Sequence, residues 1–329
     1  MRIYSGDQKV ETKKLTAFEK RLCNALQNGL PIVKRPYAAL ARALKSTEES
    51  VLKKTQGLVR RGIIRRLGAV VNWRAIGMAG TLAAAHIEKD DLYKVVEAVN
   101  RLDGVSHNYL RDHHFNLWFT LRADSEGQIN KILSELSRRF GVKFYSLPAV
   151  RIFKLDVRFD AQSGGRRLLP GAGRQKTEYR RQKTDRIDER ILSELQNGLK
   201  VVAEPFKFLC KGGTSMNEVA SRLKKMLRSG AILRIGAVVS HHKLGFVANA
   251  LFVCRESGRR AVEVGRKLTG LDIVSHCYQR RTFNGWPYNL FAMMHGRSMK
   301  DIQGTVKKFV KAERTEDWKL LVTKERLRK

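Results

Sequence analysis

No stretch of this 329-residue sequence reaches the roughly 18 uncharged apolar residues that a membrane-spanning helix requires. Residues Met1 to Asp7 lack the apolar core of a secretory signal, so a cytoplasmic protein without membrane contact is expected. Cysteine is scarce. The four residues Cys23, Cys210, Cys254 and Cys277 form no Cys-x-x-Cys pair, which argues against a zinc ribbon or a disulfide framework and fits reduced, small core side chains. Walker loops, a Ser-His-Asp order and His-Glu-x-x-His are all missing, and the pair Gly164-Gly165 has no strand before it. Nucleotide-driven chemistry is thereby disfavoured. Acidic residues are few, 31 against 65 Lys plus Arg, and none stand paired at a spacing that would serve a carboxylate-based hydrolase.

What is present is positive charge and repetition. A formal net charge of +34 attracts polyanions of any shape, nucleic acid and polycarboxylate small molecules alike. Laid against itself at an offset of about 169, the chain repeats in order. Gln27-Asn28-Gly29-Leu30 returns as Gln196-Asn197-Gly198-Leu199, Gly68-Ala69-Val70-Val71 as Gly236-Ala237-Val238-Val239, and Val105-Ser106-His107 as Val274-Ser275-His276. A repeat this long signals a duplicated domain plan, not a solenoid.

Each copy divides again. Leu15, Phe18, Leu22 and Leu26 recur at helical spacing, Tyr37 to Leu44 suggests a second helix, and Ser46-Thr47-Glu48-Glu49 resembles the cap of a third. Arg61 to Val71 then reads as the wing of a winged helix-turn-helix. The remainder alternates strand and helix in the order βαββαβ, a ferredoxin-like plan. The expected class is α+β: two tandem copies of a winged helix-turn-helix followed by a ferredoxin-like domain. The boundaries are a basic tail at 1–14, helix-turn-helix domains at 15–78 and 185–246, and ferredoxin-like domains at 79–160 and 247–329, the last ending in a basic tail. Residues 161–184, with seven basic residues against one acidic and no apolar periodicity, read as a linker.

Side chains alternate faces along a strand, so His107, Tyr109 and Arg111 share one side, and His276, Tyr278 and Arg280 share the equivalent side of the second copy. An imidazole, a phenol and a fixed cation on one surface can hold carboxylates and manage a proton. A solvated polar face is the plainer alternative. The opposite parity (Ser106, Asn108, Leu110) is not strongly apolar, so which face meets the helices stays open. Nearby candidates are His113 and His114 in the first hairpin and Trp286 and Tyr288 in the second, where aromatics suit a flat conjugated ligand or an ordinary core. His241 and His242 follow the second wing, and Arg65, Arg66 and Arg234 precede the wing strands, where they could meet carboxylates or phosphates.

The helix-turn-helix followed by a ferredoxin-like domain resembles the Lrp/AsnC regulators, while the specific islands resemble their enzymatic relatives, the siroheme decarboxylases. Those islands are Arg65 to Val70, Val105 to Arg111 and Asn116 to Thr120 in the first copy. In the second they are His241 to Ala250, Ser275 to Arg280, Trp286 to Phe291 and His295-Gly296. The first copy is similar to one subunit type of the family's heterodimer and the second to the other. Val247 and Arg281-Thr282-Phe283 depart from the family pattern and put substrate positioning in question.

The resemblance implies removal of two acetate carboxylates, at ring positions 12 and 18 of siroheme, giving 12,18-didecarboxysiroheme and CO2 for heme d1 or alternative heme b biosynthesis. It implies no added cofactor, since the macrocycle delocalises the charge left behind. In that setting Arg111, Arg280 and Arg234, with Arg65, His241, His242, His113, Trp286 and Tyr288, are expected to bind substrate. His276 is expected to donate the proton, assisted by Tyr278. His107 and Tyr109 are expected to serve the partner site, and either His276 or His107 to ligate the siroheme iron. No metal of the protein's own is expected, and a homodimer is allowed.

The rival reading is a DNA-binding transcription regulator of the Lrp/AsnC type. Its recognition candidate in the first copy opens with Glu48-Glu49, which repels phosphate, and diverged halves lose the match to a palindrome. Residues 215–225 of the second copy are less hostile, so residual nucleic-acid binding is not excluded by charge. A non-catalytic tetrapyrrole carrier is a third reading.

Overall fold

The computed structural model describes residues 14–155, 157–169 and 183–328. The tail read at 1–14 lies outside them except for Lys14, as does the 170–182 part of the linker.

Local chemistry sets the helix ends. Thr16 accepts from the Glu19 N–H while the Glu19 carboxylate takes the Thr16 N–H, a reciprocal cap that opens α1 (Ala17–Asn28). Pro36 occupies the first turn of α2 (Pro36–Leu44), where its missing N–H is not needed. Thr47 caps α3 (Glu48–Arg60) by accepting from the Ser50 N–H. There follow β1 (Ile64–Val71), β2 (Ala79–Ala85), α4 (Leu92–Asn100), β3 (Val105–Arg111), β4 (Leu117–Ala123), α5 (Glu126–Phe140) and β5 (Tyr145–Lys154).

The second half runs α6 (Arg186–Asn197), α7 (Met216–Ser229), β6 (Ile232–Val239), β7 (Ala248–Cys254), α8 (Gly258–Thr269), β8 (Val274–Arg280), β9 (Leu290–Gly296), α9 (Met299–Glu313) and β10 (Trp318–Arg326). Between α6 and α7 a 3-10 turn at Lys207–Leu209 replaces the second helix of the first half. Pro205 before it and Gly212 and Gly213 after it, both glycines at positive φ, leave no room for an α-helical run.

In each half the strands lie in the ferredoxin-like order, β3-β4-β2-β5 and β8-β9-β7-β10. The two sheets do not stay separate. β5 pairs antiparallel with β8 and β10 with β3, so eight strands close into one barrel. Closure removes four strand edges that would otherwise be exposed for pairing. Outside, Val105, Phe119 and Leu121 pack with residues of α4 and α5, and Phe252, Val274 and Cys277 with residues of α8 and α9. Inside, Ala84, Trp118 and Leu147 of the first half meet Leu251, Phe291 and Leu321 of the second in a single core.

The helical parts also meet across the duplication. The stretch expected to form a wing within each half forms one strand, and β1 pairs antiparallel with β6 around Gly68 opposite Gly236. A Cβ on Gly68 would fall 2.2 Å from the Leu195 carbonyl oxygen, and on Gly236 2.3 Å from that of Leu26, so only glycine lets α6 and α1 settle on this ribbon. One core then holds Leu22 and Leu26 together with Leu192, Leu195, Val219 and Leu223. The start of the segment read as linker belongs to it: Ala161 and Leu168 are buried there, and Gln27 clasps Phe159 through both its backbone groups. Composition suggested a solvated tether because the two apolar anchors, spaced seven apart, show no period. Among the described residues no helix is long and apolar enough to cross a membrane.

Candidate active site

Cross-strand pairing fixes which side chains enter the barrel. Tyr109 stands opposite Trp118, and Tyr278 opposite Phe291, and both partners lie in the inner core. Tyr109 and Tyr278 therefore point inward, and with them His107, Arg111, His276 and Arg280. Both triads line up as ladders. The His107 and Tyr109 rings stack at 6.1 Å and the Arg111 guanidinium lies 5.2 Å from the Tyr109 ring. His276 and Tyr278 stack at 6.2 Å with the Arg280 guanidinium 4.4 Å from the phenol ring.

The two arginines form the floor. Arg111, 4% exposed, donates to the Leu321 carbonyl at 3.2 Å and to Thr323 Oγ1 at 2.9 Å, and touches Met293 Sδ at 3.7 Å, all in the other half. Arg280, 9% exposed, donates to the Leu147 carbonyl at 2.8 Å, again across the duplication. Neither has a carboxylate partner among the described residues, and each keeps a buried Nε–H without an acceptor. Burial draws both guanidinium groups down to about 10, the adjacent phenol opposing the shift.

Above the floor the mouth is basic. Burial lowers Arg65 of β1, the charge of Arg326 of β10 lowers it further, and both cations bear on His107. Arg122 of β4 lies 4.2 Å from the Trp73 ring. The Nε–H groups of Arg122 and Arg326 are buried without acceptors, like those of the floor pair. His241 and His242, with rings 4.1 Å apart, close in from the turn after β6, and His241 packs 5.3 Å from His295 of β9 and 5.4 Å from Phe159.

Desolvation and neighbouring cations keep these imidazoles neutral. His107, still in contact with solvent, is pulled to about 4 by crowding and by Arg326, Arg65, Arg122 and Arg328. His276 falls to about 3 through burial, His107, Lys154 and Arg280, and His241 to about 3 through burial, His242 and Arg326. His295, 8% exposed, is driven well below the ordinary imidazole value mainly by burial. The Tyr278 phenol moves the other way, up to about 12, so its proton stays in place at neutral pH.

The structure thus brings His107, Tyr109, Arg111, His276, Tyr278, Arg280, Arg65, His241 and His242 around one chamber. Four other candidates lie elsewhere. Trp286, 1% exposed, packs 5.0 Å from Trp118 and 5.0 Å from Tyr288, and all three belong to the apolar core that plugs the barrel. His113 meets the edge of Trp286 at 5.4 Å and sits at that plug as well. Arg234 spends its guanidinium on the Ala237 carbonyl at 2.9 Å and the Val157 carbonyl at 3.2 Å, a brace between β6 and the chain after β5.

Sequence reasoning did not single out Arg122, Arg326, His295 or Ser275 as site residues. Arg122 and His295 follow the inward Trp118 and Phe291 by four residues, so strand parity carried the signal. Arg326 was counted with a basic tail because the alternation along β10 breaks at a bulge between Thr323 and Glu325.

Comparison with known proteins bears on this chamber. The family described as AsnC-like ligand binding domain matches residues 75–154 and 243–328, and that described as siroheme decarboxylase NirDL-like HTH domain matches residues 19–65. The siroheme decarboxylase of Hydrogenobacter thermophilus is 34% identical over 86% of this chain and 84% of its own length. The siroheme decarboxylase NirDL subunit of Paracoccus denitrificans is 32% identical over 84% of each. The alpha subunit of the Desulfovibrio desulfuricans enzyme is 39% identical over 44% of this chain and 84% of its own length. A crystal structure of the siroheme decarboxylase NirDL with an iron-uroporphyrin III analogue superposes with a TM-score of 0.72 and 30% identity, over 95% of this chain and 92% of that one.

Proposed function

The chain belongs to the siroheme decarboxylase family, and we propose that it decarboxylates siroheme in the chamber at the mouth of its barrel. The observation that carries this reading is the set of four inward guanidinium groups, Arg111, Arg122, Arg280 and Arg326, each with a buried Nε–H lacking an acceptor. For the two buried members, Arg111 and Arg280, a cation without a counter-ion is unfavourable by several kcal/mol, roughly, and a carboxylate that arrives as ligand relieves it. Siroheme brings eight carboxylates around a flat iron ring. Arginine suits its rim because the planar fork takes carboxylate oxygens in pairs.

The reaction is redox-neutral. For each acetate arm the bond between the methylene and the carboxylate carbon breaks, CO2 leaves, and the electron pair stays on the methylene carbon conjugated with the macrocycle. One proton then converts the arm to a methyl group. Two arms, at ring positions 12 and 18, consume two protons and release two CO2. The chamber holds an imidazole stacked on a phenol in each half. A positioned acid is worth about a hundredfold to ten-thousandfold in rate. Arginine cations nearby stabilise the departing carboxylate only until the bond breaks, so their chief contribution is to hold the remaining arms and thereby place the reacting ones.

A regulator reading finds little support in the helices. Arg222 on α7 is tied to Asp185 at 2.7 Å, Asp188 at 2.9 Å and Glu218 at 3.0 Å, which removes it from any phosphate. β1 and β6 are consumed by pairing with each other.

Anaerobic incubation of the purified chain with siroheme, followed by mass analysis, tests the proposal. A product lighter by two CO2 is expected. Siroheme that binds and is recovered unchanged would reduce the protein to a carrier.

A further inference from the structure

The hydroxyl of Ser275 has one proton and three polar neighbours. Its Oγ lies 3.1 Å from the Met293 carbonyl oxygen, 3.1 Å from His276 Nδ1 and 3.0 Å from His295 Nε2. A carbonyl can only accept, so the hydroxyl proton must point to Met293 if all three contacts are hydrogen bonds. Both imidazoles then donate into the two lone pairs of Oγ. This count places the proton of His276 on Nδ1 and that of His295 on Nε2. Nε2 of His276 is left with a bare lone pair and meets no donor or acceptor among the described residues, while Ser275 itself is fully buried.

The twin position is wired differently. Ser106 Oγ lies 2.8 Å from Thr120 Oγ1 and 3.2 Å from His107 Nδ1. Thr120 holds the place that Met293 has in the second half, so a hydroxyl that can give or take replaces a carbonyl that can only take. Either tautomer of His107 satisfies that pair. The duplication has therefore fixed one imidazole and left the other free to switch.

We propose that Ser275 is a positioning residue that locks His276 in its Nδ1–H tautomer, so that His276 presents siroheme with an acceptor nitrogen and cannot be the group that delivers the proton. This reverses the donor role expected for His276 from sequence and leaves His107 and the two phenols as the proton-bearing groups of the chamber. Neutrality of the His276 ring at physiological pH is consistent with its burial beside Arg280 and Lys154. The consequence for catalysis rests on the decarboxylase reading, but the tautomer does not.

The test is a long-range nitrogen–proton correlation spectrum of full-length, substrate-free protein carrying 15N-histidine, with the His276 signals identified by their loss in H276Q. Expected are a protonated-type shift at Nδ1 and a bare-type shift at Nε2 for His276, against averaged shifts for His107. In S275A the His276 shifts should move toward the average, and S275T, which keeps the hydroxyl, should restore them. A protonated Nε2 in the wild type, or an S275A spectrum unchanged at His276, overturns the proposal. The wild-type spectrum alone decides the tautomer even if S275A fails to fold. CO2 release from siroheme with the opposite tautomer would sink this inference and leave the enzyme assignment standing. The expected tautomer without CO2 release would do the reverse.

Discussion

Replacing Arg280 by methionine should separate the needs of the empty fold from those of the substrate. Arg280 is 9% exposed, lacks an acidic partner among the described residues, and is drawn down to about 10 by burial. Relative to a free guanidinium, that displacement corresponds to a penalty on the order of 3 kcal/mol for keeping the charge in the folded chain. Since the folded chain holds this proton less tightly than the unfolded one, the penalty is fully present at every pH below the lowered value, including neutrality.

Methionine removes the penalty but also the charge-assisted bond to the Leu147 carbonyl, worth about 1.5–3 kcal/mol. It also loses the guanidinium 4.4 Å from the desolvated Tyr278 ring, worth about 2 kcal/mol. The terms nearly offset, leaving the variant no more than about 2 kcal/mol less stable, a fall in melting temperature of about 4 °C or less for a chain of this size. Substrate affinity should fall much further. Losing a buried charge-assisted contact costs about 2–5 kcal/mol, or roughly 30-fold to several-thousand-fold in Kd. Thermal melting and anaerobic spectrophotometric titration with siroheme read the two effects. A variant that melts well below the wild type yet binds siroheme normally would show Arg280 to be a strand brace and refute the reasoning.

Acid should destabilise the fold through its buried imidazoles. His276 and His241 are held near 3, below their unfolded value, so the unfolded chain takes up protons first and stability falls as pH drops from about 6.5 toward 4. Melting temperatures across that interval should show the decline, with a shallower slope in H241Q, and a flat profile would contradict the assignment. Trp286→Ala removes the centre of the barrel plug and should lower stability by about 3–5 kcal/mol. Denaturant titration reads this, and a loss under about 1 kcal/mol would mean that the plug carries little of the fold.

Much of the chamber was legible because duplication repeats a pattern that one strand alone leaves ambiguous. His107 with Tyr109 and Arg111, and their counterparts at 276, 278 and 280, were identified from alternation and recurrence together. The inward face itself was not. Val105 and His107 have the same parity, yet a register shift between them sends Val105 to the helices and His107 into the barrel, and the same happens between Val274 and His276. Barrel closure was hidden for another reason. It rests on β10 pairing with β3 and β5 with β8, hydrogen bonds between backbones that no side-chain pattern announces. Trp286 and Tyr288 were drawn toward the ligand because an aromatic suits a macrocycle and a core equally well. Only packing of Trp286 against Trp118 and Phe115, and of Tyr288 against Trp286, places them in the plug.

The seams of the barrel also say what the covalent connection between the halves is for. Each half ends on the strand that must zip onto the other half, β5 onto β8 and β10 onto β3. A half alone would carry two raw rims, and two copies of one half would line the lumen with identical walls. Tying unlike partners into one polypeptide makes their encounter independent of concentration and guarantees a chamber with one rigid imidazole wall and one adaptable one.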